Sequence, residues 1–569
     1  MADETPQDRA QDAAFLLGPE SGLLAEVDMA GLGRALGQVF TGALAHPGEL
    51  GEAWLRYAAA LAQIPAASLS NWIGHPIPAP ATLNPRDKRF ADRSWADNPA
   101  FYSLRLSHQA FAEFMDRLVT VSGLQSTQEA KARLTAGLLV DALAPTNYLP
   151  TNPAALKRAF ETGGASVVRG LRNFINDLQH NNGRPRQVDT SGFTLGENLA
   201  CTPGQVVFRN ELMELIQYTS QTGQVHATPM LCSPPWINKY YVMDLAPGRS
   251  FVEWAVQHQR TVFAISYRNP SPDMSGVTLD DYLINGPRQA LDVIQDITGA
   301  PVIDIVGLCL GGALTAIADA WLAASGDDRI GTITLLNTLL DYSEPGVLGA
   351  FTDAETVQRL EQQMQREGGL SATAMAGTFD ILRANDLIFS YVAANWLMGQ
   401  DPPAFDILAW NSDNTRMPAA MHAFYLRNFY MENNLARGRL EIAGRRLNLS
   451  DVKHPAYVVA AENDHIVPWT SAYATTSLVS GPVRFVLSNG GHIAGIVNPP
   501  GPKGWYLTSK KHPKSAAKWR EKATRHDGSW WQDWAVWSDG SSGPLTEPPP
   551  TGSDTYPALY EAPGKYVHE

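Results

Sequence analysis

Hydrophobic positions recur at helical spacing between residues 46 and 190. Leu104, Phe111, Phe114 and Leu118 fall on one face of a 3.6-residue period. Ser126-Thr127-Gln128-Glu129 has the spacing of a capping box and predicts the start of a further helix, which must end near Pro145. Asn181-Asn182-Gly183-Arg184-Pro185 is a loop signal and marks a boundary. The first 45 residues are rich in Ala, Gly and acidic side chains and read as a flexible or loosely helical segment.

After about residue 190 the period changes. Short apolar runs predict strands over 225–232, 261–266, 302–308, 332–336, Ala456–Ala461 and 483–487. Helical patterns over 278–297 and 311–324 alternate with them, and Pro287 must kink or divide the first. Such alternation predicts an α/β fold, a mainly parallel sheet covered on both faces. Residues 340–440 interrupt it with a helical stretch rich in Phe, Tyr, Trp and Leu. That stretch is either an elaboration of the core or a cap over an active site, because ligands bind near strand C-terminal ends. Residues 538–557 are rich in Pro, Gly and Ser and predict a linker or a surface-hugging tail. The expected organisation is therefore a flexible segment over 1–45, a helical domain over 46–190, and a sheet-containing domain over 191–569 with its cap at about 340–440.

Composition narrows the function classes. The chain has 569 residues, too many for one compact core. Its net charge of -13 argues against nucleic acid as a partner, since phosphate binding needs clustered Lys and Arg, but leaves room for a small anionic ligand at a local basic patch. The three cysteines, Cys201, Cys232 and Cys309, form no C-x-x-C pair, so neither a disulfide framework nor a zinc site is expected, and a reducing compartment fits. Met1-Ala2-Asp3-Glu4-Thr5 is acidic and opens no apolar run, so no signal peptide is expected. No apolar run reaches the roughly 18 residues needed to span a bilayer. A cytoplasmic location follows as the expectation.

Gly307-Leu308-Cys309-Leu310-Gly311-Gly312 follows a predicted strand and opens a predicted helix. This is the nucleophile-elbow pattern G-x-S-x-G of α/β-hydrolases, with Cys in place of Ser. So tight a turn strains the central residue, and glycines at 307 and 311 relieve the clash with flanking backbone. The helix N-terminus then favours a thiolate and a developing oxyanion. Alone, the pattern also fits a buried cysteine beside a glycine-rich turn. Asp464, just past strand Ala456–Ala461, and His492, just past 483–487, complete the order nucleophile, acid, His. Glu462 and His465 are weaker candidates, the first for its place in the strand exit and the second because it should point away from its neighbour. Cys201 and Cys232 lack a glycine elbow. One oxyanion donor is expected at the backbone N–H of Leu310 and the other in the loop Ser233-Pro234-Pro235-Trp236-Ile237-Asn238-Lys239, at Trp236 or Ile237.

A cysteine nucleophile forms a thioester, which remains activated and can pass its acyl group on. That favours acyl transfer from a CoA-like carrier, although cysteine hydrolases of this fold exist. Pro234-Pro235-Trp236-Ile237-Asn238-Lys239-Tyr240-Tyr241, Ser266-Tyr267-Arg268-Asn269-Pro270, the Cys309 elbow, Asp464-His465-Ile466-Val467-Pro468-Trp469, Gly491-His492-Ile493-Ala494-Gly495 and Asn498-Pro499-Pro500 together resemble the polyhydroxyalkanoate synthases. Asp97-Asn98-Pro99, Thr151-Asn152-Pro153 and Gly528-Ser529-Trp530-Trp531 fit as well. The resemblance runs from about residue 85 to the end and is strongest to the class I enzymes, which prefer short-chain substrates. Tyr267, where the family often has Trp, and Ser488-Asn489-Gly490, where Gly-Ala-Ser is common, depart from it.

The resemblance implies an acyltransferase that polymerises (R)-3-hydroxyacyl-CoA, chiefly 3-hydroxybutyryl-CoA, with release of CoA and no cofactor. By resemblance Cys309 carries the chain, His492 activates it, and Asp464 assists either His492 or the incoming 3-hydroxyl. It further implies a homodimer at polyester granules in the cytoplasm, with granule-associated proteins as candidate partners. The apolar N-terminal helices would then serve partner or granule contact, or simply pack on the catalytic domain. Two other readings stay open: a cysteine-dependent thioesterase or dienelactone-type hydrolase of the same fold, and a granule-binding structural protein with an inactive hydrolase fold.

Overall fold

A computed structural model of the chain describes residues 29–569 except Arg86. The chain forms two compact units. One takes the residues up to Asp189 together with Thr373–Ala404, and the other takes Thr190–Ala372 with Phe405–Glu569.

The first unit is helical. Of the segment expected to be flexible over 1–45, residues 1–28 lie outside the described residues, and Met29–Leu44 is an α-helix. That helix is held by a core the local composition does not reveal: Val39 and Ala43 pack with Phe114, Met115 and Leu118. Helix Pro99–Val121 buries Phe114 and Leu118 as the period predicts, while Leu104 and Phe111 are half-buried and Leu106 goes deeper. Asn98 caps this helix, its Oδ1 accepting from Ala100 N at 2.9 Å, and Asn152 caps Pro153–Glu161 by accepting from Ala155 N at 3.1 Å. Proline at the first helical position costs nothing there, because its missing N–H would have no intrahelical partner. Two of the resemblance motifs are thus helix starts. Helix Ser126–Ala142 begins with Gln125 as its N-cap, one residue ahead of the expected capping box.

Residues 373–404 fall within the stretch read as one cap, yet they complete this first unit. The reason is close packing against helix Ala165–His180. Gly170 lies so near the Trp396 carbonyl that a Cβ would collide with it. Trp396 Nε1 donates to Asp177 at 2.8 Å, Asn173 Nδ2 to Asn395 O at 3.2 Å, and Gln187 Nε2 to Leu387 O at 2.7 Å.

The second unit is built on an eleven-stranded sheet. Its strands are β1 (Gly204–Arg209), β2 (Met213–Tyr218), β3 (Met230–Ser233), β4 (Val262–Tyr267), β5 (Ile303–Leu308), β6 (Ile330–Leu336), β7 (Ala456–Ala461), β8 (Val483–Ser488), β9 (Trp505–Thr508), β10 (Thr524–Asp527) and β11 (Tyr560–Glu561). Their order is β10-β9-β8-β7-β6-β5-β3-β4-β2-β1-β11. The six strands from β4 to β8 in that order are parallel, and the others join antiparallel at both edges. The parallel strands are nearly all buried, as a sheet covered on both faces requires. The run 225–232 is not one strand. Val225–His226 pairs with Leu545–Thr546 apart from the sheet, and β3 begins only after Pro229, which has no N–H to give a ladder. The helix expected over 278–297 is divided at the kink, where Gly286 has non-helical φ -101° and ψ -112° beside Pro287.

The Ser/Pro/Gly stretch hugs the second unit. Ser538 and Ser542 hydroxyls accept from the buried Arg260 guanidinium, and Gln217 bridges Pro550 O and Gly552 N at 2.9 Å each.

Gly170→Val should lower the stability of the first unit by about 2–3 kcal/mol, an overpacking cost, read as a lower denaturation midpoint. A midpoint equal to the parent's would show that this helix contact is not close-packed.

Candidate active site

β5 ends at Leu308, and helix Leu310–Ala323 begins one residue later, so Cys309 alone must turn the chain. It does so with φ 52° and ψ -115°, a conformation that costs an L-residue about 1–3 kcal/mol and persists only when its surroundings fix it. They do. Cys309 N donates to Leu336 O of β6 at 2.8 Å, and Cys309 O accepts from Gly312 N at 3.0 Å and Ala313 N at 3.1 Å. A Cβ on Gly307 would stand 2.5 Å from Gly312 Cα. One on Gly311 would strike the carbonyls of Ser233 and Pro234, and one on Gly312 the Thr338 hydroxyl. The third of these glycines is required by the fold although the elbow pattern does not name it.

β7 and β8 are neighbours, and their C-terminal ends deliver the other two residues. His492 Nδ1 donates to Asp464 Oδ2 at 2.6 Å. Asp464 Oδ1 accepts from Ile466 N and Val467 N, both at 2.9 Å, and the carboxylate is wholly buried. With Nδ1 so engaged, the Cys309 sulfur lies close enough to the imidazole to act on its titration. Burial pulls the His492 imidazole down, but the Asp464 carboxylate and the Cys309 sulfur outweigh it and hold His492 well above its ordinary value. The structure thus brings Cys309, His492 and Asp464 together, with His492 and Asp464 hydrogen-bonded and the Cys309 sulfur beside the imidazole.

The His492 loop is held from three sides. Asn337, the residue after β6, donates to His492 O. Trp530 Nε1 donates to Gly495 O and Trp531 Nε1 to Ile496 O, both at 2.9 Å. Ser488, one of the departures from the family pattern, donates to Gly495 O at 3.0 Å and so ties the loop to the end of β8.

The neighbouring candidates have other partners. Glu462 pairs with Arg520. Cys232 is a core residue of β3, its thiol pushed up by burial, and Cys201 lies off the sheet with its thiol raised by burial and by Asp244. Leu310 occupies the first helical position, where a backbone N–H has no intrahelical acceptor. Ser233 and Pro234 press on Gly311, so the turn holding Trp236 and Ile237 starts beside the same helix end. That arrangement suits two backbone donors facing a tetrahedral oxyanion.

Sequence reasoning missed the roof. Tyr342 and Tyr430 lie within electrostatic reach of the Cys309 sulfur. Their rings pack on one another at 5.0 Å between centroids, and Tyr425 packs on both, 6.1 Å from Tyr342 and 5.3 Å from Tyr430. All three come from residues 340–440, whose aromatic richness was legible but whose place near the thiol was not. Asn337 was also missed. An Asn directly after the apolar run 332–336 was its available signal; in the structure it adopts φ 43°. Among the described residues no group of three or more His, Cys, Asp or Glu is placed to hold a metal ion, and no helix is long and apolar enough to cross a membrane.

Two family profiles match the chain. The one described as poly-beta-hydroxybutyrate polymerase N-terminus covers residues 86–255, and the one described as alpha/beta hydrolase fold covers residues 248–499. The chain is 40% identical over 514 residues to a poly(3-hydroxyalkanoate) polymerase subunit of Rhizobium meliloti, spanning 88% of this chain and 82% of that one. It is 40% identical to a poly(3-hydroxyalkanoate) polymerase of Methylorubrum extorquens, over 85% of this chain and 81% of that one. It is 39% identical to the corresponding subunit of Cupriavidus necator, over 86% and 84%.

Two outcomes follow from the geometry. Because folded His492 titrates above its unfolded value of about 6.5, its protonated form contributes stability that is complete below that pH and is lost as pH rises through the folded value. The stability gap between parent and His492→Gln should therefore narrow as pH rises above about 6.5, by denaturation at each pH; a gap that widens contradicts the arrangement. Asp464→Asn should keep the fold but cut turnover by about 10⁴-fold, because the amide selects the wrong imidazole tautomer.

Proposed function

The chain belongs to the poly(3-hydroxyalkanoate) polymerases, and from that premise we propose that Cys309 carries the growing polyester as a thioester, with His492 as its base and Asp464 orienting the imidazole. The enzyme is an acyltransferase that polymerises hydroxyalkanoates, on an α/β-hydrolase fold. The observation that carries the mechanistic reading is the Asp464–His492 hydrogen bond beside the Cys309 sulfur on its strained elbow.

His492 takes the Cys309 proton, and the sulfur attacks the thioester carbon of (R)-3-hydroxyacyl-CoA. The tetrahedral oxyanion sits against the backbone N–H groups of Leu310 and of Trp236 or Ile237. The C–S bond to CoA breaks, and His492 returns the proton to the leaving thiolate. In elongation the 3-hydroxyl of one unit attacks the thioester carbon of another. An ester bond forms, a thioester bond breaks, and the hydroxyl proton passes through His492 to the released thiol. Asp464 fits an orienting role better than direct contact with the 3-hydroxyl, since its oxygens already accept from His492, Ile466 and Val467 and it is buried. The steps need no cofactor.

The Tyr342–Tyr425–Tyr430 roof supports transfer over hydrolysis. Tyr342, Tyr425 and the adjoining Phe429 are buried, and water kept from the thioester leaves the hydroxyl as acceptor. In this reading 3-hydroxybutyryl-CoA is the chief substrate, and the enzyme works as a homodimer at granule surfaces in the cytoplasm.

Purified protein given 3-hydroxybutyryl-CoA should release CoA and form polymer. Free 3-hydroxybutyrate with CoA and no polymer would sink the polymerase reading in favour of a thioesterase. Cys309→Ala should cut turnover by a factor on the order of 10⁴ or more and leave no acyl label on the denatured protein; label retained on that variant would place the thioester elsewhere.

A further inference from the structure

Residues 566–569 bind two of the resemblance motifs at once. Lys239, in the loop after β3, donates from Nζ to Val567 O at 3.0 Å and to Glu569 O. Arg268, just past β4, pairs with the Glu569 side chain, Nε to Oε2 at 2.8 Å, and Asn269 Nδ2 donates to Glu569 O at 3.3 Å. β3 and β4 are neighbours in the sheet, so Glu569 joins the two loops at their C-terminal ends. The segment is itself fixed. The Tyr566 ring lies 4.5 Å from the Arg209 guanidinium and 5.6 Å from that of Arg268, and its hydroxyl donates to Asn210 O at 2.6 Å. Lys565 N and Tyr566 N donate to Oε2 of the buried Glu214 at 2.8 and 3.1 Å.

Lys239 is the unusual member. A lysine is almost never fully buried, because its ammonium loses water and must be repaid by specific partners. This one is 2% exposed, with Asp413 and Glu569 supplying negative charge nearby. The loop is pinned on its other side too. Trp410 Nε1 donates to Lys239 O at 2.8 Å, Tyr241 OH donates to Asp413 at 2.9 Å, and the backbone of Asn238 pairs with that of Asn414. Trp236 and Ile237, directly ahead, differ. Among the described residues neither of their N–H groups donates to a backbone carbonyl. Both are free to meet an oxyanion, and their place is set by Pro234-Pro235 on one side and by residues 238–241 on the other. A donor of this kind works only when it is held at the position the oxyanion will take.

We propose that Lys239 is a positioning residue for acyl transfer: its buried ammonium, bound to Val567 O and Glu569 O, ties the loop bearing the Trp236 and Ile237 N–H groups to the 566–569 segment and so fixes the oxyanion donor. The inference rests on the polymerase reading and its oxyanion assignment. The Arg268–Glu569 pair keeps the segment in place. An ammonium engaged in this way does not bind the phosphates of CoA. Its effect falls on the transition state, where the oxyanion exists, and not on substrate binding.

The test separates kcat from KM. Lys239→Met keeps most of the apolar stem and removes the ammonium. With 3-hydroxybutyryl-CoA its kcat should fall at least about tenfold while KM stays within about twofold; outright loss of an oxyanion donor costs about 10²–10³ in kcat. Glu569→Ala changes an exposed side chain and should melt with the parent. It should show the same split at a smaller size, at least about threefold in kcat. If Lys239→Met does not fold, Glu569→Ala decides alone. A smaller loss of kcat in the folded variant overturns the proposal and leaves Lys239 a structural tie. A loss of kcat/KM carried chiefly by KM overturns it as well, and assigns Lys239 to the substrate. A parent that releases no CoA overturns the polymerase reading instead.

Discussion

At Cys309 one residue must reverse the chain between a buried strand and a buried helix. With φ 52° and ψ -115° it can do so only if nothing larger than hydrogen stands at Gly307, Gly311 and Gly312. The strain is held by the sheet, through Cys309 N on Leu336 O, and by the first helical turn, through Cys309 O. Everything else in the site is arranged around a sulfur fixed this way. The loop after β3 lies on Gly311 because that glycine leaves room for the Ser233 and Pro234 carbonyls, and so the turn with Trp236 and Ile237 begins where an oxyanion would form.

The second fixed object is the His492 loop, whose anchoring comes from far along the chain. Trp530 and Trp531 hold Gly495 and Ile496 by their indole N–H groups, and Asn337 holds the carbonyl of His492 itself. Rigid anchoring matters to the proposed triad, which would work by geometry: Asp464 would set the tautomer, and the loop where the free nitrogen points. The Gly528-Ser529-Trp530-Trp531 motif belongs to this anchoring. Ser529 caps the helix that carries both tryptophans, accepting from Trp531 N at 3.0 Å.

The aromatic residues divide into those that fill and those that face the chemistry. Trp519 against Phe485 and Tyr473 is core packing beneath β8. Trp530 and Trp531 fill and hold. Tyr342, Tyr425 and Tyr430 roof the thiol, and Trp236, Tyr282 and Tyr267 continue from them with polar atoms left unserved.

Much of this was written locally in the sequence. The central parallel strands were legible as short apolar runs because a strand buried on both faces has no polar alternation. The elbow was legible because its steric demand falls on residues two apart, and Asp464 and His492 because each follows a strand directly. The edge strands β9 and β10 were not, since Trp505–Thr508 and Thr524–Asp527 are only partly buried and their pairing is set by neighbours, not by their own pattern. Nor was the division of residues 340–440, which depends on whether Gly170 meets Trp396. The aromatic roof and the rings behind it lie further still from local signals. Tyr267, Tyr282, Tyr342 and Tyr425 are distant in the chain, and no periodicity tells one buried tyrosine from another. The sequence by itself determined the family and singled out Cys309, Asp464 and His492 as candidates, because those depend on residue type within short motifs. Only the tertiary structure decided what surrounds them, because burial and partner choice arise from contacts between segments far apart in sequence.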